Sequence, residues 1–572
     1  MSERDKKDQG LEKGLTNYGD RGFSLFLRKA FIKGAGYTDD ALSRPVVGIV
    51  NTASAFNPCH GNAAQLVEAV KRGVMLSGGL PVEFPTISIH ESFAHPTSMY
   101  LRNLMSMDTE EMIRAQPMDA VVLVGGCDKT VPAQLMGAAS AGVPAVQLVA
   151  GPMMAGHHHG ERLGACTDCR RFWAKYRAGQ ISKDEIEGIE GNLATTAGTC
   201  AVMGTASTMA SIAETLGMAL PGTAAIPAVH ADRLRAAEAS GRQAVALAAA
   251  KLRPSQIITA KSVENALRVL LAIGGSTNAI IHLTAIAGRV GVPISLERLN
   301  EMSDSTPVLV DLKPTGQHYM SDLHAAGGVG AVLRELKPLL HLDCLTVSGE
   351  TLGARLAAEP GWVDRAVVRP LDDPYQKQGG LVALFGSLAP GGAILKRSAA
   401  DPALFEREGR AVVFASLDDL AARIDAPDLD VKPDDFLVLQ NAGPKSGYAM
   451  PEAGYLPIPA KLARTGVKDM VRISDARMSG TAYGTIVLHV SPEAAVGGPL
   501  ALVKTGDRIR LSVAQRSINL IVDEAELSRR RAAWRAPTPP PTRGYAKLYM
   551  QSVLQAEHGC DFDFLRKQEP TA

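Results

Sequence analysis

Short unbroken apolar runs alternate with helical spacing over the first third of the chain. Pro45-Val-Val-Gly-Ile-Val50 suits a strand buried on both faces, Ala63 to Leu76 has apolar residues at helical spacing, and Pro81 to Ile89 reads as extended. The order recurs: Ala120 to Val124 as strand, Pro132 to Ala141 as helix, Pro144 to Val149 as strand. Such alternation predicts a parallel sheet covered by helices on both faces, with the functional loops beyond the carboxyl ends of its strands.

The pattern changes near residues 375 to 385. Gly380 to Gly392, Ala411 to Ala415, Phe436 to Leu439, Val471 to Ile473, Thr485 to Val490, Arg508 to Val513 and Ile518 to Val522 are short β-prone runs separated by glycine, proline and aspartate. The expected fold class is therefore α/β: a parallel-sheet α/β domain over 1–380, then a β-rich domain over 381–572, a barrel or a sandwich. Ala536-Pro-Thr-Pro-Pro-Pro-Thr reads as a polyproline II linker leading to a last helix around Tyr545 to Glu557.

Composition narrows the functional classes. A chain of 572 residues, 46% hydrophobic and 21% charged, is globular and long enough for more than one core. Its 60 Lys and Arg against 59 Asp and Glu leave no field that favours nucleic acid or an anionic membrane, so the expected partner is a small molecule. The first residues, MSERDKKDQGLEKG, carry charge with no apolar run behind it, which points to the cytoplasm. Thr130 to Gly156 and Gly191 to Ala213 lack charges, but prolines interrupt the first and the second is too weakly apolar to insert. Seven cysteines argue against a disulfide framework and leave metal binding, catalysis or burial.

Three of these cysteines stand in similar loop contexts: Asn57-Pro-Cys59-His, Gly126-Cys127-Asp-Lys and Ala197-Gly-Thr-Cys200. Two of them follow predicted strands, so the fold can bring the thiols together, although each alone reads equally as a small buried hydrophobe. Cys166-Thr-Asp-Cys169 is the one Cys-x-x-Cys, without a second pair at zinc-finger distance. With Arg162, Arg170 and Arg171 beside it, it is expected in a charged surface or substrate-facing loop with a structural role. His157-His-His159 reads as a flexible polar loop.

Glu91, Asp128 and Glu452 also sit in loops, where hard oxygen ligands suit magnesium and where a solvated carboxylate is the plain alternative. Lys129, between Asp128 and an apolar helix, would oppose a divalent cation unless neutralised or modified. Ser479 precedes a glycine in the turn Ser474-Asp-Ala-Arg477-Met-Ser479-Gly480-Thr481, without the Gly-x-Ser-x-Gly elbow of a hydrolase. Gly274-Gly-Ser-Thr-Asn278 is a weak phosphate-loop candidate, with no Walker lysine pattern.

Together, Asn57-Pro-Cys59-His, Gly125-Gly-Cys127-Asp128-Lys129-Thr, Thr195-Thr-Ala-Gly-Thr-Cys200, Ile273-Gly-Gly-Ser-Thr-Asn278, Asp475-Ala-Arg-Met-Ser479-Gly, His489-Val-Ser-Pro-Glu-Ala494 and Gly506-Asp-Arg-Ile509 resemble the dihydroxy-acid and sugar-acid dehydratase family. The motifs run in order over nearly the whole chain. The resemblance implies an active site between an α/β domain and a barrel-like domain, with an iron-sulfur cluster and Mg2+. Carried over by motif, Cys59, Cys127 and Cys200 would hold the cluster, a set like that of the 2Fe-2S branch. Glu91, Asp128, Glu452 and a carboxylated Lys129 would hold magnesium, Ser479 would be the base, and Thr481 is a candidate for touching substrate. Family members associate as homodimers or homotetramers.

Three thiolates would leave one iron open as a Lewis acid for the departing 3-hydroxyl of a 2,3-dihydroxy acid. A serine base would require a strong local field, because a free hydroxyl is far too weak an acid. His95-Pro-Thr-Ser-Met-Tyr-Leu-Arg, Ala165-Cys-Thr-Asp-Cys-Arg-Arg-Phe-Trp and Arg477-Met-Ser-Gly-Thr-Ala-Tyr look more like the aldonate dehydratases. A pentonate or hexonate such as L-arabinonate, D-xylonate or D-gluconate is thus the expected substrate. The dihydroxy acid of branched-chain amino-acid synthesis is the alternative within the family, and a zinc-binding or redox-sensing protein built on Cys166 and Cys169 is the alternative from another class.

Overall fold

A computed structural model describes residues 9–567 except 360 and 538. Strands β1 (Val46–Asn51), β2 (Leu80–Pro85), β3 (Ala120–Gly125) and β4 (Ala145–Val149) form a sheet of order β2-β1-β3-β4. All three pairings are parallel. The apolar runs behind β1, β3 and β4 are buried almost throughout because helices cover both faces. Helix Ala63–Leu76 packs on Ala231–Ala250, and Ser98–Ala115 on Thr130–Ala141. The chain adds β2 on one side of β1 and then crosses to place β3 on the other. The loops after β1 and β3 therefore leave the same edge side by side, at the topological switch point where α/β sheets bind ligands.

A hairpin follows, β5 (Gly156–His158) and β6 (Glu161–Leu163). The histidine run lies in it, with the His158 and His159 rings stacked at 4.0 Å, rather than in an unstructured loop.

The second sheet has eight strands: β7 (Val382–Leu384), β8 (Gly392–Leu395), β9 (Glu406–Phe414), β10 (Phe436–Leu439), β11 (Arg472–Ser474), β12 (Ile486–Ser491), β13 (Arg508–Ser512) and β14 (Ser517–Ile521). Their order is β14-β13-β9-β10-β11-β12-β8-β7. Phe385, just past β7, bridges Ser517 at the start of β14, so the sheet curls until its edges meet and becomes barrel-like. Val382, Val438, Ile473, Val487, Ile509 and Ile518 fill it. The pairs from β9 to β12 are parallel, which the β-rich pattern did not disclose. Parallel neighbours need crossovers, and helices Leu417–Arg423 and Ala460–Arg464 are too short to stand out by periodicity.

The last helix is Gly544–Ser552, shorter than the sequence suggested, and the chain then turns through a 3-10 segment, Ala556–His558. The proline-rich stretch from Ala536 includes residue 538, which lies outside the described residues. The C-terminal segment locks onto the first domain through the fully buried pair Arg289–Asp561, at 2.6 Å. Among the described residues no helix is long and apolar enough to cross a membrane.

Candidate active site

The loops leaving β1 and β3 carry the first two thiols. Pro58–His60 forms a 3-10 turn that buries Cys59 and His60. His60 Nε2 accepts the backbone N–H groups of Gly126 at 2.9 Å and Cys127 at 3.0 Å. Its Nδ1 lies 2.8 Å from the Thr52 carbonyl, an acceptor, which makes Nδ1 the protonated nitrogen. Burial, opposed by that hydrogen bond, lowers the His60 pKa to about 4, so the ring stays neutral and pins the two loops together. At Gly126 a β-carbon would stand 2.6 Å from that of Ala150, so only glycine lets the loop pass. Cys59, Cys127 and His90 bring ligand atoms within 4.8 Å of one another.

Cys200 arrives from a different direction. Thr199 pairs with the exit of β4, donating to the Gly151 carbonyl at 2.9 Å and accepting from Met153 N–H at 2.8 Å. Beside Cys200, at 3.9 Å between sulfurs, is Cys166. The Cys166-x-x-Cys169 pair begins helix Thr167–Arg177, half-buried against Cys200. Five of the seven cysteines thus converge, while Cys344 and Cys560 lie elsewhere as buried thiols. The hydrogen bond with Cys127 and burial push the Cys59 thiol well up. Contact with Cys166 and burial do the same to Cys200, whereas hydrogen bonds from Cys169 and Cys200 push Cys166 down.

The carboxylates form a second group. Glu91 follows β2, Asp128 follows Cys127, and Glu452 opens a 3-10 turn in the second domain. Arg477, fully buried, lies between Glu91 and Glu452. It donates to both Glu91 oxygens at 2.8 Å, to Glu452 Oε1 at 2.7 Å and to the Met450 carbonyl at 2.8 Å. Burial raises the Glu91 pKa, but Arg477 and Lys129 outweigh it and hold the carboxyl well below the usual range. Glu452 goes the other way, raised by burial that Arg477 only partly offsets. The motif Asp475-Ala-Arg-Met-Ser479-Gly assigns Arg477 no role, because the groups it binds lie far away in the chain. The signal in the sequence was a second arginine, after Arg472, set between the β-prone run Val471 to Ile473 and Ser479.

Lys129 Nζ is fully buried, 3.7 Å from Asp128 Oδ2 and 3.8 Å from Glu91 Oε2, and makes no hydrogen bond. A buried ammonium that makes no hydrogen bond is costly, and two carboxylates at ion-pair distance but beyond hydrogen-bond reach suit a lysine extended by a carboxylate that shares a cation with them. The donor set fits magnesium in this respect, and the convergent thiols fit an iron-sulfur cluster.

Ser479 sits in the turn after β11. Its Oγ lies 2.8 Å from Thr481 Oγ1 and 3.5 Å from the Thr481 N–H. Arg170 donates to Thr481 Oγ1 at 2.9 Å, and Thr167 donates to the Thr481 carbonyl at 2.9 Å. Lys396, fully buried, donates to the Gly480 carbonyl at 3.0 Å. A β-carbon at Gly480 would come within 2.7 Å of Thr205 N, so the serine turn lies directly on the segment that follows Cys200. Ser276 packs beneath it, which makes the Gly274 to Asn278 segment a buried support rather than a phosphate loop.

Known proteins match the chain over nearly its whole length. Residues 44–355 match the dihydroxy-acid/6-phosphogluconate dehydratase N-terminal domain, and residues 366–560 match the C-terminal domain. An L-arabinonate dehydratase of Rhizobium leguminosarum bv. trifolii is 47% identical over 96% of this chain and 95% of its own length. A 6-deoxy-6-sulfo-D-gluconate dehydratase of Pseudomonas putida is 46% identical over 93% and 92%. A dihydroxy-acid dehydratase of Syntrophobacter fumaroxidans is 40% identical over 93% and 96%. The chain belongs to the dihydroxy-acid/6-phosphogluconate dehydratase family and is a hydro-lyase.

Proposed function

We propose that this hydro-lyase dehydrates a sugar acid, a pentonate or hexonate, to the 2-keto-3-deoxy acid, with Ser479 as the base. The observation that carries the reading is the polar chain from Arg170 through Thr481 to Ser479, set beside the thiols and the carboxylates. Cys59, Cys127 and Cys200 would hold a 2Fe-2S cluster, and Glu91, Asp128, Glu452 and carboxylated Lys129 would hold Mg2+. When bound, these groups supply a Lewis-acidic iron for the leaving 3-hydroxyl and a cation that draws charge from the carboxylate and 2-hydroxyl.

The chain's own residues do the rest. Ser479 Oγ takes the C2 proton, and Thr481, whose own hydroxyl oxygen accepts from Arg170, holds that oxygen in place and favours its anion. Loss of the C3 hydroxyl leaves an enol, which becomes the 2-keto acid on gaining a proton at C3. Arg477 keeps Glu91 ionised and ties it to Glu452, so carboxylates from both domains face one point. His60 fixes the spacing of the Cys59 and Cys127 loops.

The relatives named for sugar acids, at 46% and 47% identity, stand above the 40% of the dihydroxy-acid dehydratase, which supports a polyol substrate. A site that hydrogen-bonds hydroxyls rejects an analogue lacking them. The dihydroxy acid of branched-chain amino-acid synthesis stays the second reading because that relative also matches over nearly its full length. The proposal places the enzyme in the cytoplasm, where its thiols stay reduced, as a homodimer or homotetramer. Exposed Phe23, Phe26 and Phe31 on helix Arg21–Lys33 support association. Assay of a panel of aldonates and 2,3-dihydroxyisovalerate for 2-keto acid tests the reading. Turnover of the dihydroxyisovalerate alone overturns it.

A further inference from the structure

The contacts described so far use only one nitrogen of the Arg170 guanidinium. We infer that its remaining N–H groups read the hydroxyls of the sugar acid beyond C3, which makes Arg170 the residue that selects a polyol tail. The inference rests on the reading of the protein as a sugar-acid dehydratase with Ser479 as the base.

The serine turn sets the direction of the substrate. Arg477, two residues before Ser479, holds the carboxylates Glu91 and Glu452. Thr481, two residues after it, is gripped from helix Thr167–Arg177: Thr167 donates to its carbonyl and Arg170 to its hydroxyl oxygen, both at 2.9 Å. Ser479 therefore lies between the carboxylate group and the Thr481–Arg170 pair. A sugar acid with its C1 end at the carboxylates and its C2 proton facing Ser479 runs its later carbons toward Arg170. The thiols agree with this direction. Arg170 Nη1 also donates to the Cys166 carbonyl at 3.3 Å, and the Cys166 sulfur is 3.9 Å from that of Cys200, so Arg170 stands on the side where the C3 hydroxyl leaves.

Arg170 is also free to take a ligand. Nearby, Arg162 pairs with Asp322, Arg171 with Asp168 and Glu161, and Arg477 with Glu91 and Glu452. Among the described residues Arg170 pairs with no carboxylate, and both of its hydrogen bonds leave from Nη1, so Nε and Nη2 keep their N–H groups for a ligand. Its plane is held as well. The guanidinium carbon lies 5.5 Å from the centre of the Tyr455 ring, which Arg472 and Tyr483 pack against in turn. Tyr455 closes the 3-10 turn that Glu452 opens, so one short segment anchors both ends of the site. An immobilised guanidinium loses little entropy on binding, and its fork can donate to two neighbouring hydroxyls. The methyl groups of 2,3-dihydroxyisovalerate would leave those N–H groups unpaired, which discriminates against it.

The test compares wild type, Arg170→Met and Arg170→Lys in steady-state dehydration of the aldonate the wild type turns over best. Glycerate, which has the C1 to C3 unit and no tail, serves as a competitive inhibitor. Arg170→Met is expected to raise the aldonate KM by about tenfold to a hundredfold, the scale of lost hydrogen bonds to a charged group, while the glycerate Ki stays at the wild-type value. Arg170→Lys keeps the charge without the fork and should raise KM less, again with Ki unmoved. Iron content and visible absorption on the same preparations identify the intact proteins, and the lysine variant carries the comparison if the methionine variant loads no iron. A fall in kcat with KM unmoved means that Arg170 acts only through Thr481 and overturns the inference. So does a Ki that rises with KM by the same factor, which puts Arg170 at the carboxylate end. A wild type that turns over no aldonate removes the sugar-acid reading itself, whereas aldonate turnover with an unmoved KM in the variants removes the tail assignment alone.

Discussion

Arg477, from the barrel-like domain, holds Glu91 of the parallel-sheet domain by both carboxylate oxygens at 2.8 Å, and Glu452 of its own domain at 2.7 Å. The guanidinium is fully buried, and neither carboxylate is freely exposed. Losing the cation leaves two half-buried carboxylates facing each other around an emptied, fully buried position. Arg477→Met is therefore expected to destabilise the protein by about 3–5 kcal/mol in urea unfolding. Arg477→Lys, which has no planar fork, should recover only part of that. The sign with pH follows from Glu91. Its pKa is depressed in the folded protein, so its contribution is present above the unfolded carboxylate value and is lost as pH falls through the folded one. The difference between wild type and Arg477→Met should shrink on acidification below the normal carboxylate range. A constant difference down to strongly acid pH refutes the assignment.

Ser479→Ala removes the proposed base without touching thiols or carboxylates. Visible absorption and iron content should match the wild type, while kcat falls by at least about a hundredfold, the scale of a lost general base. Turnover at the wild-type rate eliminates serine as the base. Cys127→Ser serves as the contrast, losing colour and iron together.

His60 is buried and neutral, and its Nε2 caps two N–H groups of the Cys127 loop. His60→Ala leaves both donors without a protein partner, a cost of about 1–3 kcal/mol each. The expected signature is a lower iron content per chain with a lower unfolding midpoint. His60→Gln, whose side-chain carbonyl can accept, should restore part of both. Full iron loading in His60→Ala contradicts a positioning role.

Lys396 lies fully buried under the serine turn, and burial lowers its pKa to about 7. The folded protein then gives up that proton near neutrality, while the unfolded chain keeps it to about 10.5, the ordinary lysine value. Between those values the unfolded state binds more protons, so stability attributable to Lys396 rises with pH across that window. In Lys396→Met this slope should be absent from unfolding free energies measured between pH 7 and 10. Parallel curves for the two proteins remove the claim.

Much of this organisation was legible because it is local. Runs such as Ala120 to Val124 are buried on both sides and leave no polar periodicity, so strand, helix and strand could be read directly, as could the barrel-forming runs from Phe436 to Ile521. The candidate residues Cys59, Cys127, Cys200, Glu91, Asp128, Lys129, Glu452 and Ser479 came from ordered motifs, each following or preceding a recognisable element. Their convergence is a different matter. It depends on the β2-β1-β3-β4 order, which sets the Cys59 and Cys127 loops side by side, and on the Thr199 pairing that delivers Cys200. Arg477 reaching Glu91, and Cys166 lying against Cys200, are contacts between residues far apart in the chain. Hydrophobic periodicity records which face of an element is buried. It carries no information on which distant polar group that element meets, and the closure of the two domains on one another decides that.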